Sequence, residues 1–300
     1  MNIVVIGQGA IGLLWYHHLT KMQKNSVSLS CSASASSVPR HYHFTDLNNH
    51  SQQGLLTLAN NTTLANADLI LLCVKSYQVK AAIAALTNKI STQAIIVFCH
   101  NGMGAYQDLA KLQQPCLALL TTHGCKITRP FHAQHTGLGH HDLGLIAGDI
   151  SPTIRDELTA TLGQALPTLS FTEAIKDKQW LKLAINCVIN PITAIENIDN
   201  GQLLDDKFKS LITKLIDEII AVAAYENINF NFNELKASIL QVARNTAKNC
   251  SSMRSDILQQ RKTEIDYING YIVNLARKAG LGVPQNEKII QQIRALEVRS

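Results

Sequence analysis

Residues 2–12, N-I-V-V-I-G-Q-G-A-I-G, set how the first half of this chain folds. The run N-I-V-V-I is short, apolar and rich in β-branched residues, the pattern of a buried strand. From Leu13 onward L-L-W-Y-H-H-L-T-K-M carries the apolar spacing of a helix. Between them, Gly7 makes the tight turn, Gly9 lets the backbone approach a pyrophosphate, and Gly12 lets the helix lie close to the strand. Gln8, Ala10 and Ile11 complete the turn, and the unpaired N–H groups of the helix start face the phosphates. A structural glycine turn would use the same residues. The position between strand and helix, at the start of the chain, favours a dinucleotide site.

The alternation continues beyond this unit. Apolar runs at 26–30, 68–76, 94–104 and 116–124 read as strands, with helical patterns after the second and third of these. Strands feeding helices define a parallel α/β sheet, and ligands bind beyond the carboxyl ends of its strands. Lys75, Asn101 and His123 occupy such ends. Lys75 suits a cofactor phosphate or ribose, and Asn101 suits the nicotinamide end. His123 suits either, or merely caps a loop. After the second strand a NAD enzyme carries an acidic residue for the ribose hydroxyls. Here the chain reads C-S-A-S-A-S-S-V-P-R, with no carboxylate before Asp46. The serine hydroxyls and Arg40 accommodate a 2′-phosphate, which favours NADP; the alternative is a plain flexible loop.

Two histidine pairs approach zinc-ligand spacing: His132 with His135, and His140 with His141. No carboxylate or cysteine pair completes a set, so no metal is expected, and T-G-L-G-H-H-D-L-G-L-I-A-G (136–148) reads as an exposed hairpin. The seven cysteines form no C-x-x-C pair and read as free thiols, mostly buried.

From about residue 174 strand signals stop. Helical periodicity runs over 176–196, 202–226, 232–248, 262–279 and 285–297, with turns at Asn200-Gly201, N-I-N-F-N and G-L-G-V-P. In W-L-K-L-A-I-N-C-V-I-N-P (180–191), Lys182, Asn186 and Asn190 fall within roughly 80° of one another and span roughly 12 Å of helix. This polar stripe either faces water or lines a cavity for a polar ligand. Pro191 removes one backbone hydrogen bond and frees the carbonyl of Cys187, so the helix bends or stops beside Asn190. Ser252 and Glu264 are further polar candidates. Their ordinary explanations are a helix N-cap (Ser251 or Ser252) and an exposed side chain at a charged helix start.

The chain has 300 residues, 46% of them hydrophobic and 16% charged, enough for two globular domains. Its longest apolar runs fall far short of the ~20 residues that span a bilayer, so no membrane segment is expected. The start lacks the features of a signal peptide, and the expected location is the cytoplasm. A net charge of +5 from dispersed basic residues suits a phosphorylated cofactor or acidic substrate better than nucleic acid.

Together GQGAIG, VKSYQV, HNGMG, TTH, WLKLAINCVINPITAIENIDNG, NCSSM, TEIDYING and GLGVP resemble ketopantoate reductase (2-dehydropantoate 2-reductase), over nearly the whole chain. The resemblance implies an α/β Rossmann-type N-terminal domain (1–173) that binds NADP, followed by an all-α C-terminal domain (174–300), with the active site in the cleft. It implies reduction of ketopantoate to pantoate by NADPH, a step toward pantothenate and coenzyme A, in a monomer or homodimer. Lys182 would be the catalytic proton donor. Glu264 would approach that lysine and the cofactor. Asn186, Asn190, Asn200 and Ser252 would bind substrate, Asn101 would lie where cofactor and substrate meet, and the GQGAIG turn, Lys75 and the Cys125 position would contact the cofactor. One position departs from the family: similar members carry an arginine just after the second strand to grip the 2′-phosphate, where, with a one-residue shift, this chain has Ser32, with Arg40 as the candidate substitute. Other expectations on the same residues are reduction of a different small keto acid, or a non-catalytic NADP-binding redox sensor.

Overall fold

The computed structural model describes residues 1–32, 38–105 and 112–298. The serine hydroxyls of 33–37 and the helical pattern expected after Gly104, through 111, lie outside the described residues. The chain divides into two compact units. One comprises Met1–His100 and Ala105–Ile175; the other comprises Asn101–Gly104 and Lys176–Ser300.

In the first unit, strands β1 (Asn2–Ile6), β2 (Ser26–Ser30), β5 (Leu69–Leu72), β6 (Ile95–Phe98), β7 (Cys116–Thr121), β10 (His141–Ala147) and β11 (Leu169–Phe171) form one sheet in the order β11-β10-β7-β6-β5-β1-β2. From β2 to β7 every pairing is parallel, and β10 runs antiparallel to β7. The central strands β5 and β6 are apolar throughout because both of their faces are covered. Ile3, Val5, Leu69, Leu71, Val97 and Leu117 share a core with Leu13, Leu14 and Trp15 of α1 (Ala10–Thr20) and with Leu158 and Leu162 of α4 (Pro152–Ala165). The alternate residues Val4, Ile70, Leu72, Ile96 and Phe98 share another with Val79, Ile83 and Leu86 of α3 (Val79–Leu86). A short α2 (Asn61–Ala65) precedes β5. The chain leaves β1 for β2 on one side and returns to β5 on the other. The turn after β1 therefore sits at the topological switch point, where such sheets bind ligands.

A second sheet has the order β4-β3-β9-β8, from β3 (His41–Thr45), β4 (Ser51–Leu55), β8 (Gly124–Arg129) and β9 (His132–Gly137). S-Q-Q-G-L is polar and carries no strand signal, whereas H-Y-H-F-T alternates polar and aromatic residues, and its Tyr42 and Phe44 share the core of α1. This sheet also corrects the hairpin expected over 136–148. β9 ends at Gly137 paired with β8 and parallel to β3, whereas β10 starts at His141 in the large sheet. The stretch crosses from one sheet to the other, and His135 and His141 are buried rather than exposed.

The second unit is helical: α5 (Ile175–Glu196), α6 (Lys209–Tyr225), α7 (Phe232–Asn245), α8 (Ser252–Leu258), α9 (Asn269–Ala279) and α10 (Pro284–Val298). Leu183, Cys187, Leu215, Ile219, Ile239, Ile272 and Ile293 anchor its single core. The expected helix at 202–226 begins instead as two 3₁₀ turns, Asn200–Leu204 and Asp206–Phe208, and the one expected at 262–279 begins as the 3₁₀ turn Ile265–Tyr267. Helix α5 neither stops nor breaks at Pro191 but continues to Glu196.

Candidate functional site

The glycine turn satisfies the steric demands of close approach. Gly7 has φ +109°, in a region that side chains avoid, and a Cβ there would lie 2.5 Å from the carbonyl oxygen of Cys73. A Cβ on Gly12 would lie 1.9 Å from the Gly7 carbonyl oxygen. Gly9, the N-cap of α1, has nothing within 4 Å of an added Cβ. That open space adjoins the first N–H groups of an eleven-residue helix whose N-cap makes no side-chain bond and whose first turn has no acidic residue. Such a cradle suits a diphosphate.

Beyond β2 the Gln8 side chain clasps Ser32. Its Nε2 donates to the Ser32 hydroxyl at 2.9 Å and its Oε1 accepts from the Ser32 backbone N–H at 3.0 Å. A residue of the glycine turn thus holds an exposed residue just beyond β2. Arg40 is also exposed, just ahead of β3. Lys75 follows β5, half-buried, as the N-cap of the 3₁₀ turn Ser76–Gln78, with its backbone N–H bonded to Gln78 Oε1 at 3.0 Å. Cys125 stands on β8 opposite His135 in the second sheet, its thiol pushed up to about 12 by burial and therefore neutral. His123 is 6% exposed with its Nδ1 3.1 Å from His135 Nε2, so it belongs to a buried histidine cluster.

In the helical unit α5 carries Lys182, Asn186 and Asn190 on one face. None is fully exposed: Lys182 and Asn186 are half-buried and Asn190 is 7% exposed. A solvated stripe is not what forms. Below Asn190, Thr193 Oγ1 lies 2.8 Å from the Ile189 carbonyl oxygen and 2.8 Å from Ser251 Oγ. Ser251, not Ser252, is the N-cap of α8, accepting from Arg254 N–H at 3.1 Å, while Ser252 begins the helix exposed. Asn200 is buried. Its Nδ2 donates to Thr246 Oγ1 at 2.9 Å, and its backbone N–H to Asn249 O, while its Oδ1 has no hydrogen-bond partner.

Glu264 is 4% exposed, against the exposed position a charged helix start would give it. Its carbonyl closes the turn by accepting from Tyr267 and Ile268. Neither Glu264 nor Lys182 is an isolated charge. The loop Asn101–Gly104 belongs to this same unit: Met103 N–H donates to Tyr267 O at 2.8 Å, and a Cβ on Gly102 would lie 2.5 Å from that oxygen. Asn101 and Glu264 are therefore carried by two segments that dock directly on one another. Sequence reading passes over Thr193 and Asn269, and names Ser251 only as an N-cap alternative to Ser252. The signal of the first two is a polar residue inside an apolar helical pattern, which periodicity treats as noise.

A glycine cradle at the switch point of a parallel sheet, together with a helical unit presenting a lysine and amides on one face, defines a nicotinamide-dinucleotide-linked oxidoreductase. The chain belongs to the ketopantoate reductase family. Residues 3–148 match the family model described as ketopantoate reductase PanE/ApbA, and 174–297 match that of its C-terminal part. It is 35% identical to the 2-dehydropantoate 2-reductase of Vibrio cholerae over 99% of this chain and 98% of the relative, and 34% identical to that of Yersinia pestis over 99% and 95%. Among solved structures it is similar to a PanE/ApbA family ketopantoate reductase from Ralstonia eutropha, with a TM-score of 0.86, 23% identity and 99% of both chains covered. It is also similar in fold to D-mandelate dehydrogenase with NADH and anilino(oxo)acetate, with a TM-score of 0.90, 21% identity and 99% of both chains covered. Among the described residues no helix is long and apolar enough to cross a membrane.

Proposed function

We propose that this chain reduces ketopantoate to pantoate with NADPH, with Lys182 as the proton donor. The observation that carries the reading is α5 itself: a lysine and two asparagines, half-buried to buried, on one helix of a chain related end to end to 2-dehydropantoate 2-reductases. With its diphosphate held in the Gly7–Gly12 cradle, NADPH would supply a hydride to the keto carbon. Negative charge then develops on the keto oxygen and needs a cation and a proton placed beforehand. The Lys182 ammonium offers both, and the buried Glu264 carboxylate orients it.

Asn186, Asn190 and Asn200 bind the substrate's oxygens without adding charge, each amide offering donors and an acceptor. The unpartnered Oδ1 of Asn200 suits a hydroxyl donor. Ser252, at the first position of α8, holds the carboxylate, and Asn101 meets both substrate and cofactor. Lys75 and the turn residues Gln8, Ala10 and Ile11 contact the cofactor, as do Glu264 and the Cys125 position. NADPH is preferred because no carboxylate follows β2 to repel a 2′-phosphate, and Ser32 and Arg40 stand ready for it. The enzyme acts in the cytoplasm as a monomer or homodimer; a structurally similar ketopantoate reductase from Staphylococcus aureus is described as dimeric.

Initial rates of ketopantoate reduction measured in parallel with NADPH and NADH test this reading. The expected result is turnover with a clear preference for NADPH. No turnover, or preference for a different 2-keto acid, overturns the substrate assignment; equal rates with NADH overturn the cofactor assignment.

A further inference from the structure

Pro191 has no N–H, so the carbonyl of Cys187, four residues back in α5, has no intrahelical donor. Cys187 is fully buried, where an unbonded carbonyl is costly and bulk water cannot reach it. The missing hydrogen bond comes from another helix: Asn269 Nδ2, at the first position of α9, donates to Cys187 O at 2.9 Å. The same amide nitrogen donates to Asn286 Oδ1 at 2.9 Å. Asn286 in turn donates from its Nδ2 to Glu218 Oε2 at 2.7 Å and from its backbone N–H to the same oxygen at 3.0 Å. Glu218 Oε1 accepts from Gln285 N–H at 2.8 Å. Asn269 and Asn286 are both 0% exposed. A continuous polar strut therefore runs from α6 through α10 and α9 to the one backbone carbonyl that Pro191 leaves open.

The strut meets α5 at Cys187, between Asn186 and Asn190. Asn269 also directly follows the turn that carries Glu264, whose carbonyl accepts from Ile268 at 3.1 Å. One amide thus ties the helix bearing Lys182 to the turn bearing Glu264. We propose that Asn269 is a positioning residue for the reduction: it supplies the hydrogen bond that Pro191 removes, and so fixes the direction in which α5 presents Lys182, Asn186 and Asn190. This rests on the ketopantoate reductase reading. A side chain added only to fill the core would be apolar, since a buried amide with an unpartnered Oδ1, as here, is a cost that needs a compensating role.

The test is a double-mutant cycle on Asn269→Ala and Pro191→Ala, because the second substitution restores a backbone N–H able to reach Cys187 O within the helix. Asn269→Ala alone should lower kcat for ketopantoate at least tenfold while leaving the NADPH dissociation constant within twofold. In the Pro191→Ala background the same change should lower kcat threefold or less. Asn269→Leu, close in size but without a donor, serves if Asn269→Ala does not fold, with the same pattern expected. Hydrogen-exchange mass spectrometry on peptides of α5 gives a readout independent of turnover. Protection around 187–190 should fall in Asn269→Ala and return in the double variant. Wild-type kcat in Asn269→Ala, or equal losses of kcat in both backgrounds, overturns the proposal. If the wild-type protein does not reduce ketopantoate, the functional reading falls by itself, and the strut is judged on exchange alone, where additive loss of protection overturns it.

Discussion

Gly12 has no room for a side chain, and the reason is local: a Cβ would sit 1.9 Å from the Gly7 carbonyl oxygen, a backbone atom that cannot swing aside. Gly12→Ala should therefore displace the turn, lowering both the melting temperature and NADPH affinity by isothermal titration; wild-type affinity in a folded variant would disprove the close-approach account. Lys182, as the proposed proton donor, would be needed for a different reason. Its replacement by alanine should lower kcat by roughly 10²- to 10⁴-fold, the usual worth of a general acid, with the NADPH dissociation constant nearly unchanged. A variant with wild-type turnover would end the proton-donor assignment. At Ser32, the position proposed for the 2′-phosphate, Gln8 clasps a hydroxyl; a guanidinium there could bind a phosphate bidentately. Ser32→Arg should tighten 2′,5′-ADP binding at least several-fold without changing 5′-AMP binding, and a change in both would place the effect outside the 2′-phosphate.

Among the helices, α5 tolerates an internal proline because the carbonyl that Pro191 leaves open, that of Cys187, is served by Asn269 of α9. Further along α5, the Thr193 hydroxyl lies against the carbonyls of Ile189 and Asn190, and Ser251, the cap of α8, adds a second contact to Asn190. Ser251 has two tasks, capping α8 through Arg254 N–H and bonding Thr193 of α5. Ser251→Ala should cost about 1–3 kcal/mol, the loss of an N-cap plus a buried hydroxyl contact, read as a lower urea midpoint at unchanged slope. Loss below about 0.5 kcal/mol would mean that the α5–α8 contact is carried by packing alone. Periodicity correctly marks Lys182, Asn186 and Asn190 as one face, since 3.6 residues per turn is a backbone property. It is blind to which face is covered, because that depends on residues sixty to eighty positions away.

For the stability of the protein as a body, the unusual feature is the histidine cluster of the first unit. His17 stacks on Phe44 with ring centres 3.8 Å apart and lies 3.0 Å from the Tyr42 hydroxyl; His123 lies between His135 and a stacked His141. Burial, helped by neighbouring cations, lowers His17 to about 3 and His18 to about 4, and burial likewise lowers His123 and His135. Well above pH 6.5, from about pH 7.5, these rings are neutral in both folded and unfolded chains and contribute no pH dependence. As pH falls below 6.5 the unfolded chain takes up protons that the folded one refuses, so stability falls progressively toward pH 4. Each fully excluded histidine contributes up to about 1.4 kcal/mol per pH unit. Urea midpoints should therefore drop between pH 6.5 and 5, and a flat profile across that range would contradict the burial of the cluster.

The parallel α/β plan, the glycine cradle, the helical second half and the family are all legible in the chain before it folds. Each is written in local order: a period of two or 3.6, a glycine where φ is positive, a motif at fixed spacing. Folding alone reveals that S-Q-Q-G-L forms a strand, that 136–148 passes between two sheets, and that Glu264 is buried at the start of a turn. It also brings Asn269 to complete the hydrogen bonding of a helix 82 residues away in the chain. Burial and long-range hydrogen bonding depend on what the rest of the chain brings alongside, and no window of sequence contains that information.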